Sequence, residues 1–257
     1  MSDSMHMFRL QGLPDFKHGD NLAASIIAAL TANQQALQEG DILVVAHKVV
    51  SKTEGAYVDL EQVIPSDNAI ELAARVNKDP RKVEVILSQS KRIIRAVKRA
   101  DQEEGIIIAE HHNGYICANA AVDESNADHA NQLLLLPNDP DASAHKLCSA
   151  LSAHFHCQLG VVISDTFGRP WRLGQTNVAI GLANVPAVVP MLGEIDAFGR
   201  PLSVTAPAFA DELAGASGLL MAKEAKTPVI IFRGLRWQTT SSHSRDLLRS
   251  SSEDLFK

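Results

Sequence analysis

The sequence predicts an α/β protein in which buried strands alternate with amphipathic helices. Apolar runs rich in β-branched residues over 41–46, 159–163 and 228–234 have the length and composition of strands buried on both faces. Segments with apolar residues at helical spacing lie between these runs. Hydrophobic residues make up 46% of the 257, and the mean hydropathy is −0.02, so the chain can bury a sizeable core.

Charge, cysteine usage and hydropathy exclude several classes of protein. The formal net charge of −6 offers no basic field for nucleic acid or anionic lipid. Cys117, Cys148 and Cys157 lack CxxC spacing and are odd in number, so we expect core residues in a reducing compartment rather than a disulfide framework. No apolar run reaches the ~18 residues of a membrane span, and no signal peptide is evident. We expect a cytoplasmic protein without nucleic-acid or membrane partners.

The first elements follow from turn residues and periodicity. A short strand and a turn are predicted over residues 8–16, where Gly and Pro lie close together. A helix is predicted between Asp20 and Gly40, because the apolar residues between them recur at helical spacing. The strand over 41–46 then leads into residues 47–55, which we expect to form its polar end.

Two lysines in that polar end lie four residues apart, and they have two readings. Lys48 and Lys52 could both reach a phosphate from a strand end. Solvated lysines at a strand edge are the commoner outcome, and the spacing leaves both readings open.

The middle of the chain predicts two helices and a hairpin. The helices cover residues 66–77 and a segment that begins at Pro80, a good first-turn residue. The hairpin strands, 105–109 and 115–118, flank an Asn-Gly pair that supplies positive φ. The basic pairs at 91–92 and 98–99 lack neighbouring aromatic residues, so we expect them to lie on solvated faces.

The second half predicts further helices and strands around one polar segment. A helix is predicted from Asp139 to Phe155, a strand over 178–182 and a helix over 208–223. Residues 237–257 are rich in serine and charge, and we expect a frayed end or a short terminal helix.

The polar segment, residues 164–177, is predicted to be a loop that carries chemistry. It contains one carboxylate, two arginines, three hydroxyls, two amides and a tryptophan, and it directly follows a buried strand. Polar groups that converge at the end of a buried strand are typical of ligand sites in α/β proteins.

Two carboxylates are candidate metal ligands because of their position. Asp123 and Asp165 each follow a predicted strand, and Thr166 adjoins the second. Such oxygen donors suit Mg²⁺ or Mn²⁺, but both carboxylates could instead cap their own turns. The sequence lacks the glycine-rich phosphate loops, zinc-binding patterns and serine-hydrolase elbow of other enzyme classes.

Taken together, the motifs resemble those of the coenzyme F420-0:L-glutamate ligases, also called F420 γ-glutamyl ligases. They occur in family order between residues 8 and 235, and include GLPDF (12–16), ILVVAHKVVSKTEG (42–55), ANAAVDESN (118–126), SDTFGRPWRLGQTN (164–177) and PVIIFRGL (228–235). The resemblance implies an α+β fold with mixed sheets flanked by helices, specific to this family rather than a plain Rossmann fold. It also implies a ligase domain over 1–235, a tail over 236–257 and a homodimer.

The resemblance further implies a reaction and a site. GTP would drive the joining of L-glutamate to the carboxylate of F420-0 through an acyl phosphate, with further γ-linked glutamates as an extension. Two divalent ions, Mg²⁺ or Mn²⁺, and K⁺ as an additional candidate, would assist. Asp123, Asp165 and Thr166 would hold the divalent ions. Nucleotide-binding positions would be Leu13, Pro14, Asp15, Phe16, His47, Lys48, Lys52, Asn126, Met221, Ala222, Lys223 and Glu224.

Some points stay open at this stage. This chain has Ala121 where family members commonly have glycine, and a methyl group there could shift the turn before Asp123. Arg169, Trp171 and Arg172 could bind the acidic acceptor or hold the loop or a dimer partner. A ligase for another carboxylate-bearing cofactor and a non-catalytic binder of nucleotide or F420 are the alternative functions.

Overall fold

A five-stranded mixed sheet forms the centre of the computed structural model, which describes residues 4–124, 131–221, 226–250 and 252–254. In spatial order its strands are β1 (His6–Arg9), β10 (Val229–Arg233), β2 (Ile42–Ala46), β8 (Gly160–Arg169) and β9 (Arg172–Ala183). Strands β2 and β8 run parallel, and the other neighbours are antiparallel. The α+β class with mixed sheets is therefore confirmed.

Helices cover both faces of this sheet, which explains the unbroken apolar runs. Leu43 and Val45 of β2 face a core formed with α1 (Leu22–Ala32) and α5 (Pro140–Phe155). Their neighbours Ile42 and Val44 face a second core under α6 (Phe209–Ser217). Because every residue of the strand meets an apolar layer, the pattern lacks the alternation of a half-exposed strand.

A smaller unit, formed by residues 57–124 and 131–134, lies between α2 and α5 in the chain; we call it the small-sheet unit. Its elements are β3 (Tyr57–Asp59), α3 (Asp67–Val76), α4 (Pro80–Ser88), β4 (Ser90–Val97), β5 (Ile106–His111), β6 (Ile116–Ala118) and β7 (Gln132–Leu134). Strands β4, β5 and β6 form one sheet, and β3 pairs with β7. The predicted Asn-Gly hairpin is confirmed, with Gly114 at φ +94. Strand β4 was not predicted, because its basic residues interrupt the apolar pattern of a strand. They pair across the sheet instead, as Arg92 does with Glu110.

The predicted polar end of β2 is wrong, because residues His47–Glu54 form a helix, α2. The apolar pattern of the strand stops at His47, and the buried side chains then recur at helical spacing, at His47, Val50 and Ser51. Gly55 ends the helix in the left-handed conformation, with φ +71. Lys48 and Lys52 therefore lie four apart on a helix rather than on a strand edge.

The predicted loop over 164–177 is also wrong, because β8 and β9 continue through it as a paired ribbon. Asp165 pairs with Val178, and the pairing continues to Arg169 and Arg172 around a two-residue turn. This ribbon extends beyond the core, so neither of its faces has to be apolar. Its sequence therefore lacks the alternation of apolar and polar residues that identifies a half-buried strand.

The tail begins as an attached segment rather than a frayed end. Ser244–Leu247 forms one turn of 3₁₀ helix, and Ser244 is buried. Its hydroxyl contacts the Tyr115 hydroxyl at 3.0 Å and donates to Asp141 Oδ2 at 3.0 Å. These bonds link the tail to the small-sheet unit and to α5.

Within the described ranges, no helix has the length and apolarity that a membrane span requires.

Candidate active site

The candidate site lies at the carboxyl ends of the two parallel strands. Ala46 of β2 stands opposite Ser164 of β8 in the register. The next residues are His47, which begins α2, and Asp165, which is the first residue of β8 not fully buried. Because parallel strands end at the same edge of a sheet, these side chains meet.

Asp165 is held on one of its carboxylate oxygens. Oδ1 accepts from the backbone nitrogen of Thr166 at 2.6 Å and lies 3.2 Å from His47 Nε2. The two atoms are close, but no hydrogen bond is formed between them, so among the described residues Nε2 is a buried nitrogen without a hydrogen-bond partner. Among the described residues no hydrogen bond or ion pair is formed with Oδ2.

Asp123 reaches the same place through the neighbouring residue of α2. Lys48 Nζ lies 2.5 Å from Asp123 Oδ2, and both side chains are partly exposed. Consecutive residues of the first helical turn, His47 and Lys48, therefore contact the two candidate carboxylates. Asp123 and Asp165 are distant in the sequence, and their spacing alone did not predict that they lie at the same place.

The backbone before Asp123 adopts an uncommon conformation. Asn119, Ala120 and Ala121 have φ values of 52°, 50° and 57°, so three successive non-glycine residues are left-handed. This conformation costs L-residues about 1–2 kcal/mol each. Backbone bonds of 3.0 Å and 2.8 Å between Asp123 and Leu134 hold the end of the turn.

Thr166 and Met221 are joined through Asn177. The Thr166 hydroxyl donates to Asn177 Oδ1 at 2.8 Å, and the Asn177 amide contacts Met221 Sδ at 3.6 Å. The segment after α6 thus reaches the same edge of the sheet. The predicted positions Asn126, Ala222, Lys223 and Glu224 lie outside the described residues.

The predicted GLPDF segment divides into core and surface residues. Leu13 and Phe16 are buried in the main core, so only Pro14 and Asp15 present side chains to solvent. Asp15 pairs with Lys226 at 2.7 Å, and this cation, with a smaller contribution from Lys52, lowers the pKa of the carboxyl group.

Sequence reasoning missed Lys226. The available signal was a basic residue shortly before the last buried strand and two residues after Glu224, where the segment that the resemblance assigns to the nucleotide ends.

The donor set fits a magnesium-type ion better than zinc. No group of three or more His, Cys, Asp or Glu side chains suited to a metal occurs in the ranges that the structure covers. Mg²⁺ commonly takes one or two protein carboxylates and completes its shell with water and phosphate oxygens. Asp123, Asp165 and Thr166 supply oxygen donors of that kind.

Burial, with a smaller contribution from Asp165, raises the pKa of Cys117 to about 12, so this nearby thiol stays protonated.

Other polar features lie away from these carboxylates. Arg169 and Arg172 pair at the far end of the ribbon, and Arg169 donates to the Leu173 carbonyl at 3.3 Å. A cavity of about 540 Å³ lies at the opposite, amino end of β2, between Gly40 and Trp237. Neither feature contacts Asp165 or Asp123, so neither belongs to the candidate site.

Comparison with known proteins shows the family. The family model described as F420-0:Gamma-glutamyl ligase matches residues 12–234. Proteins named Coenzyme F420:L-glutamate ligase are similar over nearly the whole chain. The one from Methanothermobacter thermautotrophicus is 40% identical, covering 96% of this chain and 97% of that protein. The one from Methanocaldococcus jannaschii is 39% identical, covering 95% and 94%. The one from Methanopyrus kandleri is 42% identical, covering 90% and 91%. The chain belongs to the F420-0:gamma-glutamyl ligase family.

Proposed function

We propose that this member of the F420-0:gamma-glutamyl ligase family uses GTP to join L-glutamate to the carboxylate of coenzyme F420-0. The observation that carries the proposal is the convergence of Asp123 and Asp165 on the first turn of α2. It occurs in a chain whose relatives are named for F420 and glutamate. Addition of further γ-linked glutamates is part of the proposal.

The proposed reaction has two steps. A carboxylate oxygen of F420-0 attacks the γ-phosphorus of GTP, the bond to the bridging oxygen breaks, and GDP leaves. The amine of glutamate then attacks the carbonyl carbon of the acyl phosphate. A carbon–nitrogen bond forms, the carbon–oxygen bond to phosphate breaks, and phosphate and a proton are released. The first step converts a poor electrophile into a reactive one.

The lysines and the proposed metal ions of the site reduce the electrostatic repulsion between these anionic reactants. GTP, the acceptor carboxylate and glutamate are all negative, and a protein of net charge −6 cannot attract them with its overall field. Lys48, Lys52 and Lys226 place local positive charge around the site. Divalent ions on Asp123, Asp165 and Thr166, Mg²⁺ or Mn²⁺ with K⁺ as an additional candidate, would neutralise phosphate charge during transfer.

The proposal includes a homodimer in the cytoplasm. Large apolar side chains are exposed at the ribbon tip, where Leu173 is 99% accessible, and in the following loop, where Phe198 is 87% accessible. Such exposed side chains favour burial by a second copy. All three cysteines are free, as expected in a reducing compartment. Sedimentation equilibrium of the purified protein measures the oligomeric state directly.

An assay of glutamate addition tests the proposed reaction. Purified protein is incubated with F420-0, glutamate, Mn²⁺ and either GTP or ATP, and the products are analysed by mass spectrometry. We expect F420-0 to gain at least one glutamyl residue, with one GDP released for each residue added. The Asp165→Asn variant is the matched control. The proposal fails if F420-0 stays unmodified while a characterised relative extends it under the same conditions.

A further inference from the structure

We propose that His47 is a positioning residue for Asp165, holding Oδ1 so that Oδ2 is presented to a divalent ion. This inference rests on the proposed function, because it assumes that Asp165 binds the ion. It assigns His47 a role different from the phosphate contact that the resemblance implies.

Burial argues against direct contact between the His47 imidazole and a phosphate. The His47 side chain is 2% exposed, whereas that of the adjacent Lys48 is 21% exposed. The imidazole lies beside β8, where its buried Nε2 lies 3.2 Å from Asp165 Oδ1 and has no hydrogen-bond partner among the described residues. A ring in this position contacts a group on the protein rather than a ligand arriving from solvent.

A second contact fixes the orientation of the ring. His47 Nδ1 lies 3.3 Å from the hydroxyl of Ser51, a fully buried residue one helical turn further along α2. Since a carboxylate oxygen only accepts, a hydrogen bond between His47 and Asp165 requires the proton on Nε2. Nδ1 then accepts from Ser51, whose hydroxyl can donate to it and is therefore compatible with this tautomer.

The arrangement separates the two oxygens of Asp165. Oδ1 accepts from the Thr166 backbone amide at 2.6 Å and lies 3.2 Å from His47 Nε2, whereas Oδ2 has no hydrogen bond or ion pair within the described ranges. A carboxylate held on one oxygen offers the other in a fixed direction. Groups that orient metal-binding side chains in this way typically change metal affinity by about 10–100-fold when they are removed.

Two substitutions of His47 distinguish positioning from general packing. Glutamine can place its amide nitrogen near the position of Nε2, whereas asparagine can place its amide only near Nδ1. We expect His47→Asn to weaken Mn²⁺ binding by about 10–100-fold, and His47→Gln to retain an affinity close to that of the wild type. We expect Ser51→Ala to lie between them. Electron paramagnetic resonance of free Mn²⁺, titrated in the presence of GDP, measures these affinities, and thermal melts confirm folding.

The outcomes separate this inference from the proposed function. Asp165→Asn is titrated in parallel; if it retains Mn²⁺ affinity, the proposed metal site is wrong. If Asp165→Asn loses affinity but His47→Asn does not, positioning by His47 is wrong and the metal site stands. Equal weakening of Mn²⁺ binding by His47→Asn and His47→Gln also overturns the inference, because the glutamine amide near the position of Nε2 would then fail to restore the affinity. Should His47→Asn fail to fold, Ser51→Ala decides, and an unchanged affinity overturns the inference.

Discussion

Asp165 and Asp123 meet at the same turn of α2, but very different structures support them. Asp165 extends a strand that is buried on both faces of the central sheet, and a backbone amide and an imidazole face its Oδ1. Asp123 follows a left-handed turn in the small-sheet unit, and its carboxylate is paired with the flexible side chain of Lys48.

The difference suggests a division of roles between the two carboxylates. A group built on a packed strand keeps its direction, whereas a carboxylate paired with a long lysine side chain can change its orientation as that side chain moves. We infer that Asp165 sets the position of the ion and that Asp123 completes the shell when the substrates bind.

Removal of the Asp165 charge has the largest expected effect. We expect Asp165→Asn to lower kcat roughly 10³-fold, because charge stabilisation during phosphoryl transfer is the main task of such a site. Steady-state release of GDP measures the effect. The melting temperature serves as the folding control, and a loss below tenfold in a folded variant would contradict the assignment.

Removal of the Asp123 charge is expected to cost less. We predict that Asp123→Asn lowers kcat roughly 10²-fold and that raised Mn²⁺ partly restores activity, because Asp165 still sets the ion position. The same GDP assay, repeated across Mn²⁺ concentrations, gives both quantities. An equal or larger loss than that of Asp165→Asn would remove the distinction between the two carboxylates.

Acid is expected to destabilise the small-sheet unit through His111. Burial, with smaller contributions from His112 and Lys91, lowers the pKa of His111 from 6.5 to about 4. The unfolded chain therefore binds more protons between these values, and stability falls as the pH drops below 6.5. The contribution is about 2 kcal/mol between pH 7 and pH 5.

Urea unfolding at the two pH values measures this contribution. His111→Asn is the comparison, since its side-chain oxygen can keep the bond that His111 Nδ1 accepts from the Asn113 amide at 3.0 Å. We expect the variant to lose less stability than the wild type on acidification. Identical pH dependence in the two proteins would exclude His111 as the cause.

The strained turn carries the smallest expected effect. Glycine adopts positive φ without steric cost, so Ala121→Gly should raise the free energy of unfolding by about 0.5–1 kcal/mol. Ala118→Gly is the matched control, because Ala118 has an ordinary φ of −69° and should lose stability instead. Urea denaturation measures both, and destabilisation by Ala121→Gly would show that the turn is not strained.

The sequence predicted the elements whose burial leaves a clear pattern of apolar residues. The strands β2, β8 and β10 were recognisable because each is buried on both faces. Helix α2 was missed because a strand and a helix adjoin at His47 without a turn residue between them. The ribbon was missed because its outer part has no apolar face.

The site was predictable only in part, for a tertiary reason. Their position after predicted strands singled out Asp123 and Asp165, and the resemblance assigned them to a metal. Their convergence, however, depends on the register of Ala46 with Ser164 and on the contacts of His47 and Lys48. No local pattern encodes these contacts. Lys226 was missed for the same reason, because its pairing with Asp15 joins opposite ends of the chain.

Locating the ion is the most direct test of the central claim that α2, Asp165 and Asp123 form one metal and nucleotide site. Crystals grown with GDP and Mn²⁺ can be measured for anomalous scattering from manganese. We predict an anomalous peak beside Oδ2 of Asp165, within coordination distance of Asp123, with the GDP phosphates near Lys48 and Lys52. A peak elsewhere, with GDP bound and Lys48 still paired with Asp123, would contradict the account.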